Sequence, residues 1–136
     1  MAQQTKDEQL FWAAFEGKLE KVKALCSDPP VNVNWQNEKG FTALSCACQN
    51  GHSLIVEHLL AQPKIDPNLG NNEGATPLFL ACQNAHEEVV SAMLADPRVD
   101  PNKPRNDQST PCGLLARRVT LRLFNSYWPQ EGILTP

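Results

Sequence analysis

Two segments of the chain carry the same stripe of small apolar residues at helical spacing. The stripe is i, i+3, i+4 in both, and the copies lie 34 residues apart: Leu44, Ala47 and Cys48, then Leu78, Ala81 and Cys82. Side chains at this spacing share one face of a helix, and their small size is typical of a helix packed closely against another. Each segment therefore predicts a short first helix.

A second apolar stripe follows each first helix. It contains Leu54, Ile55, Leu59 and Leu60 in one copy and Val89, Val90, Met93 and Leu94 in the next. Pro63 and Pro97 follow these stripes and stop the second helices, after which the segments IDPN and VDPN lead into turns. Each unit is thus predicted to be two helices and a turn.

The expected helix ends have suitable residues. Thr42 and Thr76 are N-cap candidates, and Pro77 fits a first helical position, where no N–H is needed. Gly51 ends the first helix in a left-handed conformation, which is cheapest for glycine. Ala85 takes this place in the next copy, at an expected cost of roughly 1 kcal/mol if the backbone is kept.

The period organises most of the chain. GFTALSCACQNGHSLIVEHLLAQPKIDPN begins at Gly40, and GATPLFLACQNAHEEVVSAMLADPRVDPN begins at Gly74. Helices of about ten residues are marginal alone, so each unit must bury its apolar face on its neighbour. We predict a stack with a degenerate N-terminal repeat at about 6–38, repeats at 39–72 and 73–106, the start of a further repeat at 107–111, and a non-repeat tail at 112–136.

The segment ATPLFLACQNAHEEVV resembles the ankyrin repeat, whose signature is Thr-Pro-Leu-His-x-Ala followed by Gly-His and a Leu-Leu pair. The resemblance covers residues 6–111, and it departs from the family pattern at Ala43, Ser45, Phe79 and Ala85 and in a period one residue longer than usual. It implies an all-α solenoid of stacked helix-turn-helix units joined by β-turn or hairpin loops.

The two ends of the chain differ from the middle. At the N-terminus, Thr5 and Glu8 form a predicted capping box among polar residues that would give the first unit a wet outer face. After Pro111 the register is lost, and allowed codons in the neighbouring frame yield LWVASQKGHFEIVQLLLASGRDID, an ankyrin-like repeat. We therefore predict that the tail is a frame-shifted repeat, with a basic amphipathic segment as the alternative. Losing that repeat should leave apolar faces exposed near Leu78, Leu80, Val90 and Leu94.

Composition narrows the class of protein. The chain has 136 residues, 41% of them hydrophobic, and a formal net charge of −3. That balance disfavours a nucleic-acid partner, which needs a clustered positive field. The sequence lacks a long apolar run and a basic signal-peptide start, so we expect a protein that is not bound to membranes, in the cytoplasm or alternatively the nucleus. We also expect a monomer.

Catalytic and metal-binding chemistry has weak support. Cys46 and Cys48 form C-x-C without a second pair, and they are better explained as core filling. His52 and His86 are expected to form hydrogen bonds within their repeats, and His58 is expected to be exposed on a second helix. No catalytic motif stands out, so we predict no enzyme activity, no cofactor and no metal site.

The resemblance implies that a partner protein binds the concave side, formed by the turn tips and the first helices. Mapped by register, the candidate contacts are Trp35, Gln36, Glu38, Lys39, Phe41, Gln49, Asn50, Asn72, Glu73, Ala75, Gln83, Asn84, Asn106 and Asp107. Trp35 either anchors a partner or packs on Phe41 or the adjacent turn. The predicted function is therefore a protein–protein interaction module, and the alternative is a truncated or frame-shifted fragment with weakened folding and binding.

Overall fold

The computed structural model describes residues 5–110, which form six helices arranged as three stacked pairs. The helices are α1 (Lys6–Glu16), α2 (Leu19–Cys26), α3 (Ala43–Asn50), α4 (Ser53–Leu60), α5 (Pro77–Gln83) and α6 (Glu87–Leu94). Helix α3 contacts both α1 and α5, and α4 contacts both α2 and α6. The first helices thus make one layer and the second helices the other, and residues 5–110 contain no strand. This confirms the predicted all-α stack.

One apolar seam runs through the stack. Leu44, Leu59, Leu78 and Met93, each at most 1% exposed, belong to a single cluster of buried side chains. Every residue from Ala43 to Cys48 is buried, which is more than the predicted stripe. Helix α3 is enclosed so fully because it lies between α1 and α5.

The predicted threonine caps are present. Thr42 Oγ1 accepts a hydrogen bond from the Ser45 amide at 3.0 Å, and Ser45 Oγ accepts one from the Thr42 amide at 3.2 Å. Ser45, which departs from the family histidine, thereby completes a capping box. Thr5 caps α1 by accepting from the Glu8 amide at 3.2 Å. Because this cap precedes the register position of Thr42 by three residues, α1 is longer, with 11 residues against 8 in α3.

The first helices end as predicted. Gly17 and Gly51 have φ of 81° and 76°, and Ala85 keeps the left-handed conformation at φ 57°. All three units therefore turn through a left-handed residue at the equivalent position, although α5 ends one residue earlier than α3 and the third unit has a side chain where glycine is favoured.

The expected exposure of apolar side chains in the third unit is wrong. Leu78, Leu80 and Val90 are at most 5% exposed, because Leu78 and Val90 belong to the shared core and Leu80 packs with Ala75 and Phe79. Leu94 is partly buried against the same core. At the other end of the stack, α1 has two exposed aromatic side chains, Trp12 and Phe15, which are 43% and 42% exposed. The tail and its proposed frame shift lie outside the described residues.

Among residues 5–110, no helix has the length and apolar character needed to cross a membrane.

Candidate protein-binding surface

The tips of the three turns are joined edge to edge by hydrogen bonds. The amide of Asn72 donates to the carbonyl of Lys39, and the amide of Asn106 donates to the carbonyl of Glu73, both at 2.9 Å. The Asn72 side chain also donates to the Glu38 carbonyl at 2.8 Å, and the Asn106 side chain donates to the Asn72 carbonyl at 3.0 Å. These bonds repeat with the period and set a constant spacing between tips.

Side-chain acceptors shape each tip from within. Asn37 Oδ1 accepts from the amides of Lys39 and Phe41 at 3.0 and 2.9 Å. Asn71 Oδ1 does the same for Glu73 and Ala75 at 2.9 and 3.0 Å. The tips are therefore held both internally and by their neighbours, as expected for β-turn loops that satisfy their backbone groups.

The third tip uses a carboxylate. Asp107 accepts from both the amide and the hydroxyl of Ser109, and Arg105 donates to its other oxygen at 2.8 Å. The hydrogen bonds from Ser109, followed by that from Arg105, hold the pKa of Asp107 well below its usual range. Arg105 also lies over the Phe79 ring at 4.7 Å from its centroid. Asp107 is thus ionised and oriented by its own turn.

The predicted contact residues divide by exposure. Ten are exposed: Gln36, Glu38, Lys39, Asn50, Asn72, Glu73, Gln83, Asn84, Asn106 and Asp107. Trp35, Phe41 and Gln49 are half-buried. Ala75 is only 2% exposed and packs with Phe79 and Leu80, so the structure leaves its side chain unavailable to a partner. Its position follows a turn by register, but the adjoining aromatic cluster covers it.

Trp35 packs on the first helix of its own unit. Its ring lies edge-on to Phe11, with centroids 5.7 Å apart and planes at 78°. The expected neighbour Phe41 instead packs on Ala75, Phe79 and Leu80. Trp35 is therefore half-buried and held against Phe11, and it is not a freely exposed anchor.

An aromatic row on α1 was not predicted from the sequence. Trp12 packs edge-on against Phe11 at 5.2 Å and against Phe15 at 5.5 Å, so the row continues from Trp35 to the end of α1. The signal was available, because Phe15 precedes Gln49 and Gln83 by one and two periods. Extending the surface register into the N-terminal unit would have included it.

The aromatic row borders an open groove of about 700 Å³. The lining combines aromatic side chains from α1 and the following loop, a carboxylate of α1 and the residues of the first turn tip. These residues are Glu8, Phe11, Trp12, Trp35, Gln36, Asn37, Glu38 and Lys39. This groove lies beside the first predicted tip, and three of its eight lining residues are aromatic.

The histidines connect repeats. His52 Nε2 lies 3.2 Å from the Phe15 carbonyl, and His86 Nε2 lies 2.9 Å from the Gln49 carbonyl. The predicted bonds within one repeat are therefore wrong, because each ring reaches the first helix of the preceding unit. His58 is also not exposed as expected; it is half-buried, with Gln62 close to its ring.

The cysteines have the environment of core residues. Burial raises the pKa of Cys46 to about 12 and raises that of Cys48 well above its ordinary value, with the neighbouring thiols adding to the effect at Cys48. Thiolate, the form that attacks and binds metals, is thus disfavoured. Within residues 5–110, no group of three or more His, Cys, Asp or Glu side chains is placed to hold a metal ion.

A family model of three consecutive ankyrin repeats matches residues 10–105. The chain belongs to the ankyrin repeat family. Ankyrin repeats are in general protein–protein interaction modules, and the family is typically non-catalytic. The three helix pairs and the tip-to-tip bonds described above are the ankyrin stack of this chain.

Proposed function

We propose that this ankyrin repeat protein binds a partner protein through its turn tips and the adjoining first helices, without catalysis. The observation that carries the proposal is the row of bonds between tips, which repeats at Lys39–Asn72 and Glu73–Asn106. These main-chain groups and the amide groups of Asn72 and Asn106 form bonds inside the protein, so the charged side chains of Glu38, Lys39 and Glu73 are left for recognition. A surface that is already ordered loses little conformational entropy on binding.

The chemistry of the row suits a polar protein segment. Glu38, Lys39, Asn72 and Glu73 are exposed on two tips, and they comprise three charged side chains and one amide. Such side chains select a partner by hydrogen bonds and complementary charge rather than by a deep apolar cavity. The buried thiols of Cys46, Cys48 and Cys82 form no disulfide bond, which supports an intracellular, cytoplasmic location, where thiols stay reduced. We also propose that the chain acts as a monomer.

Site-specific photocrosslinking tests the proposed surface. A photoreactive phenylalanine analogue replaces Glu73 at a tip, and in a matched control it replaces Glu57, which is exposed on α4. In extracts of cells that express the protein, the Glu73 site should give a discrete crosslinked partner and the Glu57 site should not. Specific crosslinks at Glu57 alone would move the binding surface to the second helices.

The alternative is a fragment that folds and binds weakly because the register ends after Pro111. A thermal melt followed by circular dichroism distinguishes the two. Cooperative loss of helix supports the binding module, since it requires repeats that stabilise one another. A gradual change without a transition supports the weakened fragment.

A further inference from the structure

Resting on the proposed function, we propose that the groove beside Trp12 and Trp35 receives an arginine side chain of the partner protein. The partner segment would place its guanidinium against the exposed indole of Trp12 and between the carboxylates of Glu8 and Glu38. The proposal names the partner side chain that makes one contact, whereas the row of tips does not identify any side chain of the partner.

The first support is the exposed aromatic surface. Trp12 and Phe15, at 43% and 42% exposed, are two of the three large apolar side chains that are most exposed among residues 5–110. Both belong to the continuous edge-on row with Phe11 and Trp35. Packing within the row holds the rings in place, so the exposed part of the Trp12 indole is presented at low entropic cost. Tryptophan is the aromatic side chain that attracts cations best, and it is frequent at interface hot spots.

The second support is the charge of the groove. Its lining contains Glu8, Glu38 and Lys39, which sum to −1. None of the three belongs to an ion pair within residues 5–110, whereas neighbouring Glu16 and Glu20 are paired with Lys18 and Lys23. Glu8 receives one long bond, 3.4 Å, from the Thr5 hydroxyl. Two carboxylates with unused acceptor capacity therefore lie beside the indoles.

Arginine fits this pair of features better than other side chains. Its planar guanidinium stacks on aromatic rings and donates to carboxylates at its edge. Lys39 at the rim would repel a second cation and favour an acidic residue next to the arginine in the partner. The expected occupant is therefore a protein segment with one arginine, and not a uniformly basic tract.

A titration with acetyl-arginine amide tests the groove directly. The full-length chain is labelled with ¹⁵N, and the indole N–H signals of Trp12 and Trp35 are assigned with the variants Trp12→Phe and Trp35→Phe. The neutral isostere acetyl-citrulline amide is the matched probe. Concentrations up to about 50 mM cover the weak affinity expected of one exposed cation–π contact with an ion pair.

Both indole signals should shift in a saturable manner with the arginine probe, and citrulline should bind at least about fivefold more weakly. The double variant with Glu8→Gln and Glu38→Gln should also bind the arginine probe about fivefold or more weakly. Glutamine at residue 8 can still take the place of glutamate in the cap of α1. The control pair Glu20→Gln with Glu57→Gln removes equal charge from α2 and α4, outside the groove, and should stay within about twofold. Unchanged circular dichroism confirms that each variant folds.

Equal shifts with arginine and citrulline, or no shift of either indole, would overturn the assignment. So would indole shifts that depend on the concentration of the chain itself, because they would place a second copy in the groove. Failure of the arginine site leaves the crosslinks at Glu73 unaffected. If Glu73 fails to crosslink while the indole signals respond to arginine, the proposed binding at the row of tips is refuted and the proposed arginine site in the groove is retained.

Discussion

Replacing Ala85 with glycine should stabilise the protein. Ala85 has φ 57°, whereas the equivalent residues Gly17 and Gly51 have φ of 81° and 76°. A side chain in the left-handed region brings Cβ close to the following carbonyl, and the cost is roughly 1–2 kcal/mol. Glycine removes that strain without changing the backbone path.

The net gain is smaller than the strain. Glycine gives the unfolded chain more conformations, which offsets about 0.4–1 kcal/mol of the benefit. We therefore expect Ala85→Gly to raise the free energy of unfolding by about 0.5–1 kcal/mol. With a typical urea dependence, the midpoint of unfolding rises by about 0.5 M.

Urea unfolding followed by circular dichroism at 222 nm measures this change, and equal slopes for the two proteins confirm that stability alone differs. A midpoint that is unchanged or lower in Ala85→Gly would refute the argument from backbone strain. It would mean that contacts of the alanine methyl group outweigh its conformational cost.

The reverse change at the equivalent position is the matched control. In Gly51→Ala, the new Cβ would lie 2.8 Å from Nδ1 of His86, which must move. The substitution therefore adds backbone strain and endangers the His86 bond to the Gln49 carbonyl. We expect a loss of about 2 kcal/mol. A neutral result would show that the stack adjusts freely at this position.

Three further predictions concern contacts between repeats, acid stability and thiols. Asn68 accepts from the Asp100 amide and donates to the Arg98 carbonyl, both at 2.8 Å. Asn68→Ala should therefore lower the free energy of unfolding, measured with urea, by about 1–2 kcal/mol. The control Lys64→Ala, which removes an exposed side chain, should lower it by less than about 0.5 kcal/mol, and equal losses in the two variants would contradict the prediction. The side-chain hydrogen bond from Arg98 lowers the pKa of Asp96. Its stabilising contribution is present above the unfolded pKa of about 3.9 and is lost as pH falls through the lower folded pKa, so Asp96→Asn should flatten the decline of the urea midpoint below about pH 4. An unchanged slope against pH would count against that ion pair. Finally, the buried thiols of Cys46 and Cys48, whose pKa values burial raises, should resist Ellman's reagent at pH 8 until the protein unfolds. Peptide mass mapping identifies the labelled thiols, and rapid native labelling of Cys46 would disprove the assignment to a closed core.

The sequence by itself determined the repeat and its helix pairs. Helical stripes and caps are local signals, because residues at i, i+3 and i+4 share a face and a threonine satisfies amides within its own first turn. The left-handed ends at Gly17 and Gly51 are also local. These features could be predicted without knowing any neighbouring unit.

Tertiary structure alone decided which surface side chains are accessible. His52 and His86 bond to the preceding unit, Ala75 is covered by an aromatic cluster, and Trp35 packs on Phe11. Register states which positions are equivalent, but side-chain size and direction decide which of them touch. Those contacts join residues far apart in the chain, so only the stacked structure distinguishes a covered side chain from one that a partner can reach.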